Sequence, residues 1–370
     1  MMVDLHSVFD SPVYIETIDV LRWRGRDYVR AISREGALGI ASTNGRPYLW
    51  PILKALVAPY FEGRDARDLQ SLIDGVYTYH SNYKMAGLAF WNCVSHVEFC
   101  LFDMLGKMAG LPVCDLLGTV IRRQIPIYLS SMRRDTTPEE EVEWLEARLA
   151  ETGARAVKLK IGGRMSTNAD AMPGRTERLI PLARERLGDE VAIYVDANGS
   201  YDAETAIEVG HMLEAHGVGF LEEPCPWEQY EWIQQVTQAL EMAVAGGEQD
   251  TSLPRFEWMI RHGAVDMVQP DLAYVGGFLR TLRVASMARQ ADMSITPHSS
   301  KSDANTAYML HFAAVTPNAG PYQEYNAAPR REPWWEAPSF QVHNGAITVP
   351  DGPGLGVAYD PALWREAEIL

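Results

Sequence analysis

Two lysines in a strand-like stretch are the first residues that could do chemistry. In the run AVKLKIGG at 156–163, Val157, Leu159 and Ile161 alternate with Lys158 and Lys160, so an extended chain puts the apolar side chains on one face and both ammonium groups on the other. Inside a closed barrel such a lysine loses hydration and sits beside a second cation, which lowers its pKa toward the range a base needs. Taken alone, an edge strand with a solvated basic face explains the same alternation. Acidic residues then recur: Asp196 and Asn198 in VDAN, Glu222 and Glu223 in LEEP, and Glu248 in GGE, with Asp196, Glu222 and Glu248 spaced 26 residues apart. Brought to one rim, three carboxylates repel unless a divalent cation joins them, and an all-oxygen set favours Mg2+ over zinc or copper. Asp271 in QPD, His298 in TPH and Glu324 in QE follow. A neighbouring Asp and His can hydrogen-bond, fixing the imidazole tautomer and raising its basicity.

These residues converge only if a scaffold brings them to one rim. From residue 125 the chain alternates short apolar strands with amphipathic helices, and the strands fall at 125–129, 156–161, 192–196, 219–222, 243–247, 267–269, 294–297 and 321–324. Helix ends are legible between them: Thr137, Pro138 and Glu140 form an N-cap with a capping box, Gly153 closes that helix, Asp202 caps the next but one and Gly217 stops it. Eight strands with intervening helices over about 200 residues match a (β/α)8-type barrel, and every motif above lies at the C-terminal end of a strand, where barrel enzymes carry chemistry. Before the barrel, 13–18 and 26–32 read as strands, and 49–117 reads as helical, with Val94, Val97, Leu101 and Leu105 on one face. This is an α+β unit. After it, 340–343 and 346–349 read as short strands that rejoin the N-terminal unit.

Composition narrows the function. With 33 Lys plus Arg against 49 Asp plus Glu, the chain carries a formal charge of -16, which disfavours nucleic acid and anionic membrane surfaces. No apolar run approaches a membrane span and the N-terminus lacks a signal peptide's regions, so a cytoplasmic location is expected. Cys93, Cys100, Cys114 and Cys225 contain no CxxC pair, which fits four unpaired thiols in a reducing compartment, with Cys225 a small buried filler.

Lys158-Leu159-Lys160, Asp196-Ala197-Asn198, Glu222-Glu223-Pro224, Gly246-Gly247-Glu248, Asp271, His298 and Glu324, in this order, resemble the enolase superfamily and its mandelate racemase subgroup (mandelate racemase/muconate lactonizing enzyme-like) over nearly the whole chain. The resemblance implies an α/β fold: a modified TIM barrel, (β/α)7β, with an α+β capping domain formed by the N-terminal part and the C-terminal tail. The expected divisions are 1–122, 123–340 and 341–370. It implies one Mg2+ per subunit on Asp196, Glu222 and Glu248. Lys160 would be the base on one face of a carboxylate substrate, with Lys158 lowering its pKa and touching the carboxylate. His298, oriented by Asp271, would act on the other face, Glu324 would hydrogen-bond the developing enediolate, and Asn198 would contact a substrate oxygen. A Lys or His base working with Mg2+ is that superfamily's pattern.

Several outcomes follow from one proton abstraction. Loss of a beta hydroxyl would make the protein an acid-sugar dehydratase, a hydro-lyase turning an aldonate or aldarate into a 2-keto-3-deoxy acid. Return of the proton to the opposite face would make it a racemase or epimerase of a 2-hydroxy acid. A cycloisomerase, and a non-catalytic protein that binds metal and sugar acid, are further alternatives. Arg133 or Arg134, after the first barrel strand, could meet a distal carboxylate or hydroxyls, and Tyr77, Tyr79, His80, Asn82 and Tyr83 could close over a polyol. Relatives of this kind are commonly homo-oligomers.

Overall fold

The computed structural model describes residues 3–328 and 333–370. Strands β1 (Ile15–Trp23), β2 (Arg26–Ser33) and β3 (Leu38–Ser42) form an antiparallel meander. Arg24 and Gly25 both have positive φ, 49° and 74°, the conformation a two-residue hairpin turn requires if the strands are to keep their twist. β3 was absent from the sequence expectation because Gly39 weakens its strand pattern. The structure supplies the reason for that glycine: a Cβ there would run into the Cys100 carbonyl of the helix Leu88–Ala109, which lies across the sheet. That helix buries Val94, Val97, Leu101 and Leu105 completely and ends at Gly110, φ 68°.

The second unit contains all eight expected parallel strands, each within two residues of its expected bounds: β4 (Gln124–Ser130), β5 (Ala156–Lys160), β6 (Ala192–Asp196), β7 (Phe220–Glu222), β8 (Ala243–Gly246), β9 (Met267–Val268), β10 (Ser294–Ile295) and β11 (Gln323–Asn326). Their order is β10-β9-β8-β7-β6-β5-β4-β11. The ring is completed by a parallel bridge from Ile295 to Ala319, just ahead of β11. Helical segments fill all seven intervals and, among the described residues, none follows β11 before the tail, so the barrel is (β/α)7β. Thr137 makes the expected capping box with Glu140, Gly153 takes φ 67° at the C-cap, and Asp202 caps the helix Ala203–Ala215.

Side-chain alternation divides the core. Val157, Leu159, Val195, Leu221 and Val244 face outward into the main core under the helices. Tyr128, Ala156, Tyr194, Phe220 and Ala245 point the other way and make a small separate cluster, with the Tyr194 and Phe220 rings stacked at 4.1 Å. This plug fills the barrel interior, as expected of a packed barrel and not a pore. Lys158, Lys160, Asp196 and Glu222 share its parity and stand above it.

The tail departs from expectation. Residues 340–343 form no strand beyond a bridge from His343 to Ala346. β12 (Ala346–Thr348) pairs antiparallel with Gln124–Pro126, the start of β4, which neither β5 nor β11 covers, and so seals an exposed strand edge on the barrel. β13 (Glu368–Ile369) returns to the N-terminal sheet, against Leu21 and Arg22 of β1, and the Tyr359 ring packs on Tyr28 of β2. All four cysteines are free and buried. Among the described residues no helix is long and apolar enough to cross a membrane.

Candidate active site

Strand register sets the level of the site. Lys160 pairs across to Asp196, and Asp196 to Glu222, so three chemistry-bearing side chains occupy one row at the strand C-termini. Glu248 lies two residues beyond β8, Asp271 three beyond β9 and His298 three beyond β10, while Glu324 is on β11. Contacts join the nine expected residues into three groups. Lys158 Nζ lies 2.6 Å and 2.8 Å from the Glu222 carboxylate oxygens and 2.8 Å from Glu324 Oε1. Lys160 Nζ is paired with Asp196, whose Oδ1 accepts the Asn198 backbone N–H at 2.7 Å. His298 Nδ1 is 2.8 Å from Asp271 and its Nε2 is 3.3 Å from Glu248.

Burial makes these pairings consequential. Lys158, Glu222 and Glu324 are 0%, 1% and 0% exposed. The expected lowering of a lysine pKa does not hold for Lys158: burial does disfavour its ammonium, but Glu222 and Glu324 outweigh that and hold its pKa well above the usual value. Burial drives Glu222 up to about 7 against the opposing pull of Lys158, and it also raises Glu248. Glu324 and Asp196 go the other way despite burial, Glu324 chiefly through Lys158 and Asp196 through Lys160. His298 is lifted to about 10 because Glu248, Glu324 and Asp271 together overcome its burial.

Other expectations fail for local reasons. Arg133 lies over the Trp144 ring, 4.8 Å from its centroid, and 3.4 Å from Glu141. Arg134 does reach the mouth, but as a clamp: it donates to Asn198 Oδ1 at 2.7 Å and to the carbonyls of Gly162 and Asp196. The segment 164–175 packs on the loop after β6 through Ser166 N–H to Gly199 O and Asn168 N–H to Ser200 O. Its last residue, Arg175, is fully buried and donates to the Lys160 carbonyl at 2.8 Å. Asn82 is tied to the carbonyls of Leu56 and Val76, and Tyr77 and Tyr83 line a different cleft, described below.

A groove beside His298 contains residues the sequence did not mark. A small cavity lined by Asn44, Asp271, Tyr274, His298, Lys301 and Asn305 shares Asn44, Lys301 and Asn305 with a cleft of about 530 Å³ under the β1–β2 turn. Arg46 stacks over Tyr274 and donates to its hydroxyl at 2.5 Å. Asn44 Nδ2 is buried without a hydrogen-bond partner. Next to it, burial drives His96 down to about 3, keeping it neutral. Nothing in the local sequence of 44–46 announces this role, because the tertiary fold alone carries it to the barrel. Gln269, which donates to Glu222 Oε2 at 2.9 Å, did carry a signal: it stands at a strand end in the same motif as Asp271.

Residues 140–363 match the family described as enolase C-terminal domain-like. The chain belongs to the enolase superfamily. Within it the chain falls in the mandelate racemase/muconate lactonizing subgroup. Over 85% of its length this superfamily member is 29% identical to arabinonate dehydratase of Saccharolobus solfataricus, covering 82% of that protein. A solved protein from Roseobacter denitrificans, provisionally named a racemase, superposes with TM-score 0.91 at 36% identity, covering 96% of this chain and 98% of that one. A mandelate racemase/muconate lactonizing protein from Paracoccus denitrificans, solved with magnesium, gives TM-score 0.85 at 26% identity over 97% and 99% of the two chains.

The donor set of this enolase-superfamily enzyme suits such a cation. Asp196, Glu222, Glu223 and Glu248 are all buried, they offer only hard oxygen donors, and Glu223 Oε1 has no hydrogen-bond partner. Among the described residues no three His, Cys, Asp or Glu side chains already form a cage. Each of the three expected ligands is instead held by a cationic side chain of the protein: Asp196 by Lys160, Glu222 by Lys158 and Glu248 by His298.

Proposed function

We propose that the protein removes the proton alpha to the carboxylate of an acid sugar and expels the beta hydroxyl as water. The observation that carries this reading is the placement of Lys160 and His298 on strands three places apart one way round the barrel and five the other, across a mouth lined with carboxylates. Asp196, Glu222 and Glu248 would hold one Mg2+, which when bound supplies Lewis-acid polarisation of the substrate carboxylate. With those carboxylates on a cation, Lys160 and His298 would be free of their present partners, while Lys158 would keep Glu324. Lys160, now paired with Asp196, would take the alpha proton on one face of the substrate. Lys158, fixed and charged, donates to the carboxylate oxygen on which negative charge develops, and Glu324 lies beside it. His298 has Nδ1 committed to Asp271, so Nε2 is the atom that delivers a proton to the departing hydroxyl. The C–O bond breaks, water leaves and the enol becomes a 2-keto-3-deoxy acid. Asn198, its amide orientation set by Arg134, faces the same mouth and would meet a substrate oxygen.

The groove beside His298 favours a diacid. Lys301 lines it as a cation without an ion pair among the described residues, Arg46 packs on the lining Tyr274, and Asn44 offers an unused N–H. Racemisation is the second reading, favoured by the Roseobacter denitrificans relative; it needs His298 to act as a base. With Mg2+ and a library of aldonates and aldarates, semicarbazide should trap a 2-keto-3-deoxy product, formed faster from diacids than from monoacids of the same stereochemistry. Exchange of the alpha proton with no keto acid from any member would replace dehydration with racemisation.

A further inference from the structure

The Tyr77 and Tyr83 rings, with no part in the chemistry above, line a second cleft of about 770 Å³ between the N-terminal unit and the barrel loops after β7 and β8. None of the nine residues assigned to catalysis or metal lines it. Tyr77, Tyr83 and Trp91 form one wall and Trp227 and Leu253 belong to the other. Three arginines, Arg255, Arg280 and Arg283, and one aspartate, Asp74, line it in a chain whose overall charge is -16, with Asp250 3.6 Å from Arg255 behind the wall.

Arg280 is the informative member. It is only 7% exposed, yet among the described residues no carboxylate forms an ion pair with it, and the nearby Asp74 is taken bidentately by Arg283. Its guanidinium lies 3.6 Å from the Trp91 ring centroid and donates to the carbonyls of Val275 and Thr251. Burial and the neighbouring Arg283 charge pull its pKa down to about 10, so it remains a cation. The stack needs Gly276, where a Cβ would come within 2.7 Å of Arg280 and 2.8 Å of Trp91. A buried cation without a counter-charge is unfavourable unless something offsets it. Arg255 approaches from the opposite wall, half exposed and 5.8 Å from the Trp227 ring centroid.

We propose that this cleft binds a small organic anion, a carboxylate or phosphate joined to a flat or apolar body, with Arg280 and Arg255 on the oxyanion and Trp227, Tyr77 and Tyr83 against the body. The arginine fork matches both oxyanions, the volume suits a small molecule, and aromatic walls with a few polar groups are what such sites use. Gln249 lines the cleft and donates to Glu248 Oε1 at 2.7 Å, so the cleft lies one side chain away from the candidate metal site.

Titration calorimetry of the intact protein with benzoate and with phenyl phosphate tests this and separates the two anion classes. One probe molecule should bind per chain. Arg280→Met should weaken binding about tenfold or more and the surface change Arg255→Met about threefold, while Lys160→Ala leaves it unchanged. If Arg280→Met fails to fold, the double variant Arg255→Met/Trp227→Ala carries the test, and binding should again fall about tenfold. No binding of either probe overturns the proposal, as does binding that survives the arginine changes but is lost in Lys160→Ala.

Discussion

Replacing Lys160 by Ala should cut turnover by roughly 10²- to 10⁴-fold, the range a general base supplies, while the affinity for a divalent cation stays the same or rises. The direction of the second effect follows from the pairing of Lys160 with buried Asp196. In the wild type, Asp196 must give up an ammonium before it can serve as a ligand; in the variant it has none to give up. A protein that only stored metal and sugar acid would respond differently, having no turnover to lose. Turnover within tenfold of wild type would remove Lys160 from the role of base, and a large fall in cation affinity would mean that the lysine supports the site and does not compete for it. Steady-state kinetics on the substrate found by the library, with calorimetric Mg2+ titration, read both quantities.

The second large effect is on stability. Lys158→Met should destabilise the metal-free protein by about 3–5 kcal/mol, the cost of breaking a buried ion pair by removing one partner. Lys158 is the only lysine in contact with Glu222 and Glu324 among the described residues, and none of the three is more than 1% exposed. The deficit should depend on pH. In the wild type, Lys158 holds the Glu324 carboxyl below its ordinary 4.5 in spite of burial, so this carboxylate stabilises the fold above that value and ceases to do so on acidification. In the variant, burial acts on Glu222 and Glu324 without the ammonium. Their folded pKa values then exceed the unfolded ones, and stability falls as pH rises above about 4.5. The gap between variant and wild type should therefore be wider at pH 8 than at pH 5, and Mg2+ should narrow it by supplying a positive charge. Urea unfolding at both pH values, with EDTA and then with Mg2+, measures this. A difference under 1 kcal/mol at pH 8 would mean that the buried carboxylates are neutral or reached by water.

Much of the barrel was legible because strands buried on both faces read as short apolar runs between amphipathic helices, and polar residues interrupt those runs where the chemistry lies. The same parity that sends Val157 and Leu159 to the helices sends Lys158 and Lys160 inward. Strand-end polar residues then marked the rim, and contacts join the nine there into three groups. Three things were illegible for three different reasons. The pairing of each expected ligand with a cationic side chain depends on which charges are nearest in space, and residue spacing cannot rank those distances. The groove residues Asn44 and Lys301, and Arg46 packed on Tyr274, come from units far apart in sequence, so no local pattern links them. Arg134, expected at a distal substrate group, binds Asn198, and Arg175, which no motif marked, donates to the Lys160 carbonyl; such roles are visible only once the acceptors are placed. The tail misled because β12 and β13 are both short: one covers the free start of β4 and the other the edge of β1, a choice set by which edges remain open.

Diffraction from Mn2+-loaded crystals, recorded near the manganese absorption edge, bears most directly on the exchange of partners at the rim. One anomalous peak per chain should appear between Asp196, Glu222 and Glu248, with the Lys160 amine and the His298 Nε2 no longer held by Asp196 and Glu248. A peak elsewhere, or none, with both of those pairs intact, would contradict the proposed chemistry.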